Sequence, residues 1–284
     1  MNSEGGSAPL PKLPPRKSVA PAKPALEAAV TSRASFLERR LVVLGGQALS
    51  LAALVAAWEA LARLGIADPL FVPAPSAVAG ALAATSGEVL PRLADTLLKT
   101  LMGYGLAVVL GVGAGLVIGS RRLLHQVAMP YVVALYGVPK ILILPWIALI
   151  FGLGLSTAVL SAALFAVFPV LLMVAAGTRD VDPTLITVAR SMGATHGQIG
   201  LKVLLPAVLP SVLAGMRIGM VFAMLGVLLA EMFAGNRGMG FLMQRLAMAF
   251  RAPELFAATA IVSVLSIAVV LFLEHLNRRL GRWR

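Results

Sequence analysis

Charged residues inside apolar segments are the residues of this chain whose type and position could do chemistry. Lys140 and Arg217 lie within long apolar segments, and Glu231 follows near the end of the segment that holds Arg217. A charge at the centre of a membrane helix costs roughly 2.5–3.5 kcal/mol on insertion scales. Lys140 also lies between Pro139 and Pro145, and a proline-broken helix is tolerated in a membrane only against protein or a watery cavity. We therefore expect either a permeation path near these charges or a buried ion pair that fixes packing, with Glu231 as a partner for either base.

Sequence patterns of enzymes are absent from the chain. Glycine is never followed by lysine, so there is no phosphate-binding loop of the form G-x-x-x-x-G-K-[ST]. Cysteine is absent, and His125, His196 and His275 do not form the spaced pair that holds a metal. The glycine-rich run 235–240 lacks the strand and helix of a dinucleotide fingerprint and is interpreted as an outward turn. We expect no catalytic residue, no cofactor and no metal.

The elements that must position the charges are membrane helices. The chain is 59% hydrophobic and 13% charged, with a mean hydropathy of +0.92, which is too apolar for one water-soluble core of this length. A membrane helix needs about 20 apolar residues. Gly111, Gly115 and Gly119 lie at four-residue intervals on one helix face, which favours close helix packing. Six spans are predicted, at roughly 41–62, 100–119, 127–151, 154–176, 208–232 and 255–276.

The distribution of positive charge predicts the orientation of these spans. Of the 24 lysine and arginine residues, 16 fall on the side that carries both termini, and about six fall on the opposite face. Because cytoplasmic loops carry an excess of lysine and arginine, both termini are expected in the cytoplasm. The same bias explains the isoelectric point near 11.2 without nucleic acid as a partner.

The segments outside the spans differ in composition. Residues 1–38 are rich in proline, alanine and lysine without an apolar period, so they are predicted to form a disordered, basic cytoplasmic tail. Residues 39–90 are predicted to hold the first span and part of an outer loop that extends to about Lys99, in which Ser76 is a candidate cap for a short surface helix. Residues 279–284 are predicted to form a basic cytoplasmic C-terminus.

A polar interval at residues 178–206 carries its own helix start and stop signals. Asp182 followed by proline is a strong helix opening, and Gly193 is the residue type that most easily ends a helix in a left-handed conformation. Thr195 and Gln198 then have the spacing of a capping box, which predicts a second short helix to the end of the interval. The interval therefore predicts a helix, a tight turn and a helix on the membrane surface.

This interval resembles the loop of permease subunits of ATP-binding-cassette importers, whose pattern is E-A-A-x3-G-x9-I-x-L-P. Here the pattern is Thr187-Val188-Ala189, three residues, Gly193, nine residues and then Val203-Leu204-Leu205-Pro206. Other segments are similar to the nitrate, sulfonate and taurine permease branch and extend the resemblance over about residues 70–284. They are Pro73-Ala74-Pro75-Ser76, Val138-Pro139-Lys140 with Leu144-Pro145, Phe151-Gly152-Leu153-Gly154, Gly215-Met216-Arg217, Ala230-Glu231-Met232 and the closing Trp283.

The resemblance implies a type I importer fold, with residues 91–278 as the transmembrane type-1 domain that contains the coupling loop 178–206. It implies two permease subunits as a homodimer in the bacterial inner membrane, cytoplasmic ATPase subunits that carry the enzymatic activity, and an extracytoplasmic solute-binding protein. Ala189, Gly193 and Ala194 would form the turn and its ATPase contact. Thr187 stands where the family has glutamate, and Arg190 would alter the electrostatics of docking. The solute would be a nitrate-, sulfonate- or taurine-like anion, or a vitamin precursor of the pyrimidine type or riboflavin.

Three other classes of protein fit the sequence less well. A self-sufficient secondary transporter or channel is the main alternative, but it would usually show inverted repeats and a complete coupling-ion site, and neither is found in the sequence. An intramembrane enzyme needs a nucleophile and base within reach, and the serines and histidines have no such spacing. A DNA-binding helix-turn-helix is disfavoured because both helices of the interval 178–206 are short and close to the bilayer.

Overall fold

The structure is a computed structural model that describes residues 23–66 and 68–280, with side chains for residues 42–66, 68–84, 87–195 and 197–275. All regular structure in these residues is helical, as predicted. The helices are α1 (Lys23–Arg63), α2 (Pro75–Ser120), α3 (Arg122–Gly137), a 3₁₀ turn (Lys140–Ile143), α4 (Leu144–Phe151), α5 (Leu155–Arg179), α6 (Pro183–Ser191), α7 (His196–Gln198), a π-helical segment (Ile199–Leu204), α8 (Leu205–Ala234), α9 (Met239–Met248) and α10 (Ala252–Leu280).

The chain divides between Ala57 and Trp58 into two compact units. In the first unit the described side chains, from Val42 onward, are exposed. The second unit holds the remaining helices and is the one described below. Helix α1 begins at Lys23, so residues 23–38 are helical although their composition predicts a disordered tail. The rest of that predicted tail, residues 1–22, and residues 281–284 of the predicted C-terminus lie outside the described residues.

The described helices supply the predicted number of spans. Five are long and apolar enough to cross a membrane, and α3 with residues 140–151 makes a sixth if that bent pair counts as one span. The two halves of the pair meet at an angle of 82°. The bend follows Gly137, where Pro139 cannot donate a backbone hydrogen bond and disfavours a helical residue before it. About six spans are therefore confirmed, and the third predicted span, 127–151, is broken where its prolines predict.

The outer loop is shorter than the sequence predicts. Helix α2 begins at Pro75 and continues to Ser120, so most of the predicted loop up to Lys99 is helical. Ser76 does not cap it, because the N-cap position belongs to Ala74. The Ser76 hydroxyl instead donates to Glu59 Oε1 at 2.8 Å, and its N–H donates to Glu59 Oε2 at 3.0 Å. These bonds connect the start of α2 to the end of α1.

Glycine allows α2 and α5 to pack closely. A Cβ at Gly111 would lie 2.9 Å from Val170 Cβ, and one at Gly115 would lie 2.7 Å from Val174 Cβ, which is closer than side chains approach. Gly119 meets Thr178 in the same way one turn further on. The predicted packing role of these three glycines is confirmed. In a bilayer, small residues promote helix association because they let backbones approach.

Helix α9 lies against α2, α8 and α10 through a buried apolar face. Met239, Leu242 and Leu246 are spaced at intervals of three and four residues and pack with Met224 of α8 and Val89 of α2. This spacing places all three side chains on one side of the helix. Residues of α9 on the other side are left at the surface, at the end of α8 opposite the interval 178–206.

Candidate functional site

The first helix of the interval 178–206 starts as its sequence predicts. Asp182 is the N-cap of α6, and its Oδ1 accepts a hydrogen bond from the Thr184 N–H at 2.8 Å. Pro183 occupies the first helical position, where its missing donor costs nothing. Hydrogen bonding from Thr184, through its side chain and its backbone N–H, lowers the pKa of the Asp182 carboxyl. The helix start is therefore defined by local groups.

The turn after α6 depends on Gly193. Its φ of +79° lies in the left-handed region, which L side chains adopt at a cost and glycine adopts freely. The Met192 N–H donates to Val188 O at 3.0 Å, and the Ala194 N–H donates to Ala189 O at 3.1 Å, which satisfies the last carbonyls of the helix. Gly193 thus ends α6, as predicted.

The second helix of the interval begins with the predicted capping box but does not end where the sequence predicts. The Thr195 N–H donates to Gln198 Oε1 at 2.9 Å, and the Gln198 N–H donates to Thr195 Oγ1 at 3.4 Å. The chain then continues through the π-helical segment 199–204 into α8. Pro206 lies in the first turn of α8, directly after the π-helical segment, and it does not stop the helix. The prediction of a stop at Pro206 is wrong.

An apolar stripe faces outward on α6. Leu185, Val188 and Met192 are 49%, 52% and 81% exposed, and their spacing of three and four residues puts them on one helix face. Ile186 points the other way and packs against the buried cluster of α5 and α8. Because α6 is held to the protein on only one side, its apolar stripe is available to a partner.

The polar residues beside this stripe present little charge. The Thr187 hydroxyl donates to Pro183 O at 3.0 Å and is thereby occupied within its own helix. Arg190 is exposed, and Ala189 and Ala194 are half-buried at the turn. Position 187 therefore offers a partner no carboxylate, and its hydroxyl can only accept a hydrogen bond because its proton is already donated. Arg190 is the charged group of this face.

Lys140 lies at the break between α3 and the 3₁₀ turn. Its Nζ donates to Tyr136 O at 2.8 Å and lies 4.5 Å from the centroid of the Tyr136 ring and 5.2 Å from that of Phe168. A carbonyl and two aromatic faces thus satisfy the half-buried cation. Pro139 and Pro145 are exposed on either side of it.

The expected pairing of Glu231 with Lys140 or Arg217 is wrong. Arg217 is exposed on α8, and no described residue forms an ion pair with it. The Glu231 carboxylate is buried and accepts instead from Lys99 Nζ at 2.9 Å. Lys99 also donates to Asp95 Oδ2 at 2.6 Å. The correct partner was missed because Lys99 was assigned to the end of an outer loop.

A second side chain of α2 completes this network. The Thr96 hydroxyl lies 2.8 Å from Glu231 Oε2 and also accepts the Met239 N–H at 2.8 Å. The Gly240 N–H donates to Glu231 Oε2 at 3.0 Å. Two backbone donors at the start of α9 therefore find partners on α2 and α8, and the carboxylate lies at the positive end of the helix dipole. The one sequence signal for these residues was the spacing Asp95-x3-Lys99 at the start of an apolar run.

The glycine-rich run 235–240 makes room for the buried carboxylate. Gly238 has a φ of +103°, and a Cβ there would collide with the carboxyl group of Glu231. A Cβ at Gly240 would collide with the carbonyl oxygen of Leu228. The run is a turn between α8 and α9, as predicted, and its glycines let the backbone wrap Glu231.

Comparison with known proteins identifies the family. The family model described as "Binding-protein-dependent transport system inner membrane component" matches residues 107–282. The chain is 29% identical over 241 residues to the taurine transport system permease protein TauC of Escherichia coli (strain K12), covering 82% of this chain and 88% of that protein. It is 30% identical over 240 residues to the riboflavin transport system permease protein RibX of Chloroflexus aurantiacus, covering 84% and 90%.

The fold agrees with a solved transporter. A chain of the MetNI methionine ABC transporter in an inward-facing conformation matches with a TM-score of 0.61 at 21% identity, covering 67% of this chain and 95% of that chain. The match supports the membrane fold. The chain therefore belongs to the family of binding-protein-dependent transport system inner membrane components, and it is a multi-pass permease subunit of an ATP-binding-cassette importer.

Proposed function

We propose that a homodimer of this permease forms the pathway of an importer in which separate cytoplasmic subunits carry all ATP hydrolysis. Both termini and the interval 178–206 face the cytoplasm, in line with the excess of lysine and arginine on that side. A solute-binding protein delivers solute on the opposite face. The functional segments are residues 39–90, which hold the first span, and residues 91–278, which form the transport domain.

The capped helix α6 and its turn support a coupling role for this interval. Helix α6 has a defined start at Asp182, a left-handed stop at Gly193 and an outward apolar stripe of Leu185, Val188 and Met192. A short helix with these features fits a cleft on a partner, because the preformed ends reduce the entropy lost on docking. Thr187, in place of the family's glutamate, removes a carboxylate from this contact and leaves it to the apolar stripe and Arg190.

Arg217 is the observation that favours an anionic solute. It lies on α8, which spans Leu205–Ala234, about 18 Å from the helix start at 1.5 Å per residue. Its side chain is exposed, and no described residue neutralises it. An arginine at this depth is too costly against lipid, so its exposed face belongs to the pathway or to the second subunit beside it. Lys140 is already satisfied by Tyr136 and contributes less.

We therefore propose a small organic anion of the taurine or sulfonate type as the solute. The relative TauC is a taurine permease by name. A vitamin or its pyrimidine precursor is the second candidate, and the relative RibX, a riboflavin permease by name, favours it. The two candidates differ in whether the solute carries a fixed negative charge.

Uptake by proteoliposomes tests both parts of this proposal. Liposomes that hold the permease, its ATPase and its binding protein should accumulate taurine only when ATP is supplied to the ATPase. Arg217→Gln should slow taurine uptake by about tenfold to a hundredfold, the loss expected for one charge-assisted hydrogen bond, and Arg217→Lys should retain more of it.

Three results would contradict parts of the proposal. ATP-independent uptake by the permease alone would exclude the importer mechanism. Equal uptake by Arg217→Gln and the unmodified protein would remove the charge argument, and uptake of riboflavin without uptake of taurine would select the vitamin class. ATPase retained on the membrane in the presence of Arg217→Gln serves as the control for assembly.

A further inference from the structure

Two adjoining clefts lie at the end of the protein opposite the interval 178–206. The first half of α2, the turn after α8 and the exposed side of α9 enclose them, with volumes of about 710 and 680 Å³. Glu88, Phe241 and Arg245 line both. We call the pair the outer cleft, since the proposed orientation places it on the extracytoplasmic face.

Four arginines and three carboxylates line the outer cleft, and two of the arginines have no ion-pair partner among the described residues. Arg251 of the first half is paired with Glu254 at 2.7 Å. Arg92, Arg237 and Arg245 line its second half. Arg92 lies 3.5 Å from Glu88, and the carboxylate of Asp95 is already held by Lys99. Arg237 and Arg245 are both exposed, and no ion pair joins either of them to another described residue.

The concentration of arginine here runs against the topological bias of the chain. Outer loops of membrane proteins are depleted in lysine and arginine, and this face holds only about six of the chain's 24. Four of those six, Arg92, Arg237, Arg245 and Arg251, line the outer cleft. A cluster placed where the bias disfavours it indicates a binding role for the positive charge.

The buried network around Glu231 holds this surface in a fixed shape. Thr96 and Glu231 bind the first backbone donors of α9, and Lys99 Nζ lies 3.4 Å from the carbonyl oxygen of Arg237. The Arg245 guanidinium lies 5.9 Å from the centroid of the Phe241 ring on the same helix. Because both arginines are carried by a backbone that is anchored below, little ordering is needed when a partner binds.

The exposure of these arginines decides between a small anion and a protein as the partner. An exposed ion pair contributes only about 0–1 kcal/mol, which is too little to hold a free small anion. Several such pairs at the rim of a protein interface nevertheless raise the association rate and select the partner. The family depends on a solute-binding protein, which must approach this face.

We propose that the outer cleft receives an acidic surface segment of the solute-binding protein, with Arg237 and Arg245 as its electrostatic contacts. This rests on the proposed orientation. The acidic residues of that segment approach Arg237 and Arg245 across the mouth of the cleft, while Phe241 supplies an apolar floor. The network of Lys99, Thr96 and Glu231 positions the contact without touching the partner.

Binding kinetics of the assembled importer test this proposal. The permease with its ATPase is placed in nanodiscs of zwitterionic lipid, and the association rate of the solute-loaded binding protein that supports its uptake is measured at low and high salt. Arg237→Glu with Arg245→Glu should lower the association rate constant by about tenfold at low salt and flatten its salt dependence. Arg63→Glu, which makes the same change outside the cleft, should associate at the unmodified rate. Arg245→Gln is the milder variant should the double change impair assembly.

The outcomes separate the two proposals. An unchanged rate in the double variant, or an equal fall in Arg63→Glu, would overturn the cleft as the docking site. A difference seen only in nanodiscs of anionic lipid would assign the arginines to lipid headgroups and also overturn it. Failure of the unmodified permease to retain an ATPase would refute the proposed function instead. Recovery of the rate when an acidic residue of the binding protein is changed to lysine would support the proposal.

Discussion

Lys99→Met should destabilise this permease more than any change to an exposed charge. The substitution keeps the length of the side chain but removes the only cation that contacts the Glu231 carboxylate among the described residues. Lys99 is 3% exposed and Glu231 is 1% exposed, so water cannot replace the lost partner. Removing one member of a buried ion pair costs about 3–5 kcal/mol, because the other charge is left without compensation.

Substitution of the other partner, Glu231→Gln, should lower the free energy of unfolding less than Lys99→Met does. The difference comes from the contacts that each remaining residue keeps. In Glu231→Gln, Lys99 keeps Asp95 at 2.6 Å as a second carboxylate partner. The amide at position 231 can still accept hydrogen bonds from Thr96 and Gly240. We expect a cost of about 1–3 kcal/mol, the range for weakening a buried hydrogen-bonded group.

The double variant gives the coupling between the two charges. Lys99→Met with Glu231→Gln leaves unpaired only Asp95, whose side chain is 27% exposed and can be hydrated. The double variant should therefore cost less than the sum of the single changes by about 1–3 kcal/mol. The free energy of unfolding can be measured by titrating the purified protein with denaturing detergent and following helix content. Arg63→Met, which breaks an exposed pair with Glu59, is the matched control and should cost about 0–1 kcal/mol. Strict additivity of the single changes, or a Lys99→Met effect no larger than that of Arg63→Met, would refute the interpretation.

Two pairs of glycine substitutions test the turn and the helix packing with matched controls. Gly193→Val places a β-branched residue at a φ of +79°, a strain of about 1–2 kcal/mol, and should reduce the ATPase recovered with the permease by about fivefold or more. Gly197→Val, where no atom lies within 4 Å of a new Cβ, should retain the ATPase. Equal recovery with both variants would remove Gly193 from the coupling turn. Gly115→Ala should lower the free energy of unfolding by about 1–3 kcal/mol because its Cβ would collide with Val174. Gly113→Ala has open space around the new Cβ and should be neutral or stabilising. Equal effects of the two variants in detergent unfolding would contradict the close contact of α2 and α5.

Local signals made the helix starts and the turn of the interval 178–206 predictable. The cap at Asp182, the left-handed glycine at Gly193 and the box of Thr195 and Gln198 each act within three residues, so the sequence alone contains them. The end of the second helix was mispredicted. Pro206 was expected to stop the helix, but the chain stays helical through it because the π-helical segment runs directly into the first turn of α8.

The buried network could not be predicted, because its members are far apart in sequence. Lys99 and Glu231 are separated by 132 positions, and no periodicity relates them. The turn residues Pro73-Ala74-Pro75-Ser76 favour a loop at the start of α2, yet burial of Val89 against α9 and α10 outweighs that local preference. Because a loop was predicted at these positions, the sequence did not indicate that Asp95, Thr96 and Lys99 share one helix face.

Helix α8 connects the two proposed binding surfaces of the permease. It runs for 30 residues from Leu205 to Ala234, about 45 Å at 1.5 Å per residue, and it continues directly from the second helix of the interval 178–206. Glu231 at the other end is bonded to α2 and α9, so a rotation of α8 must either carry the outer cleft with it or break a buried ion pair. Because breaking that pair is costly, a rotation of α8 should move the outer cleft with it. The state of the ATPase would then change the shape of the cleft that the binding protein contacts.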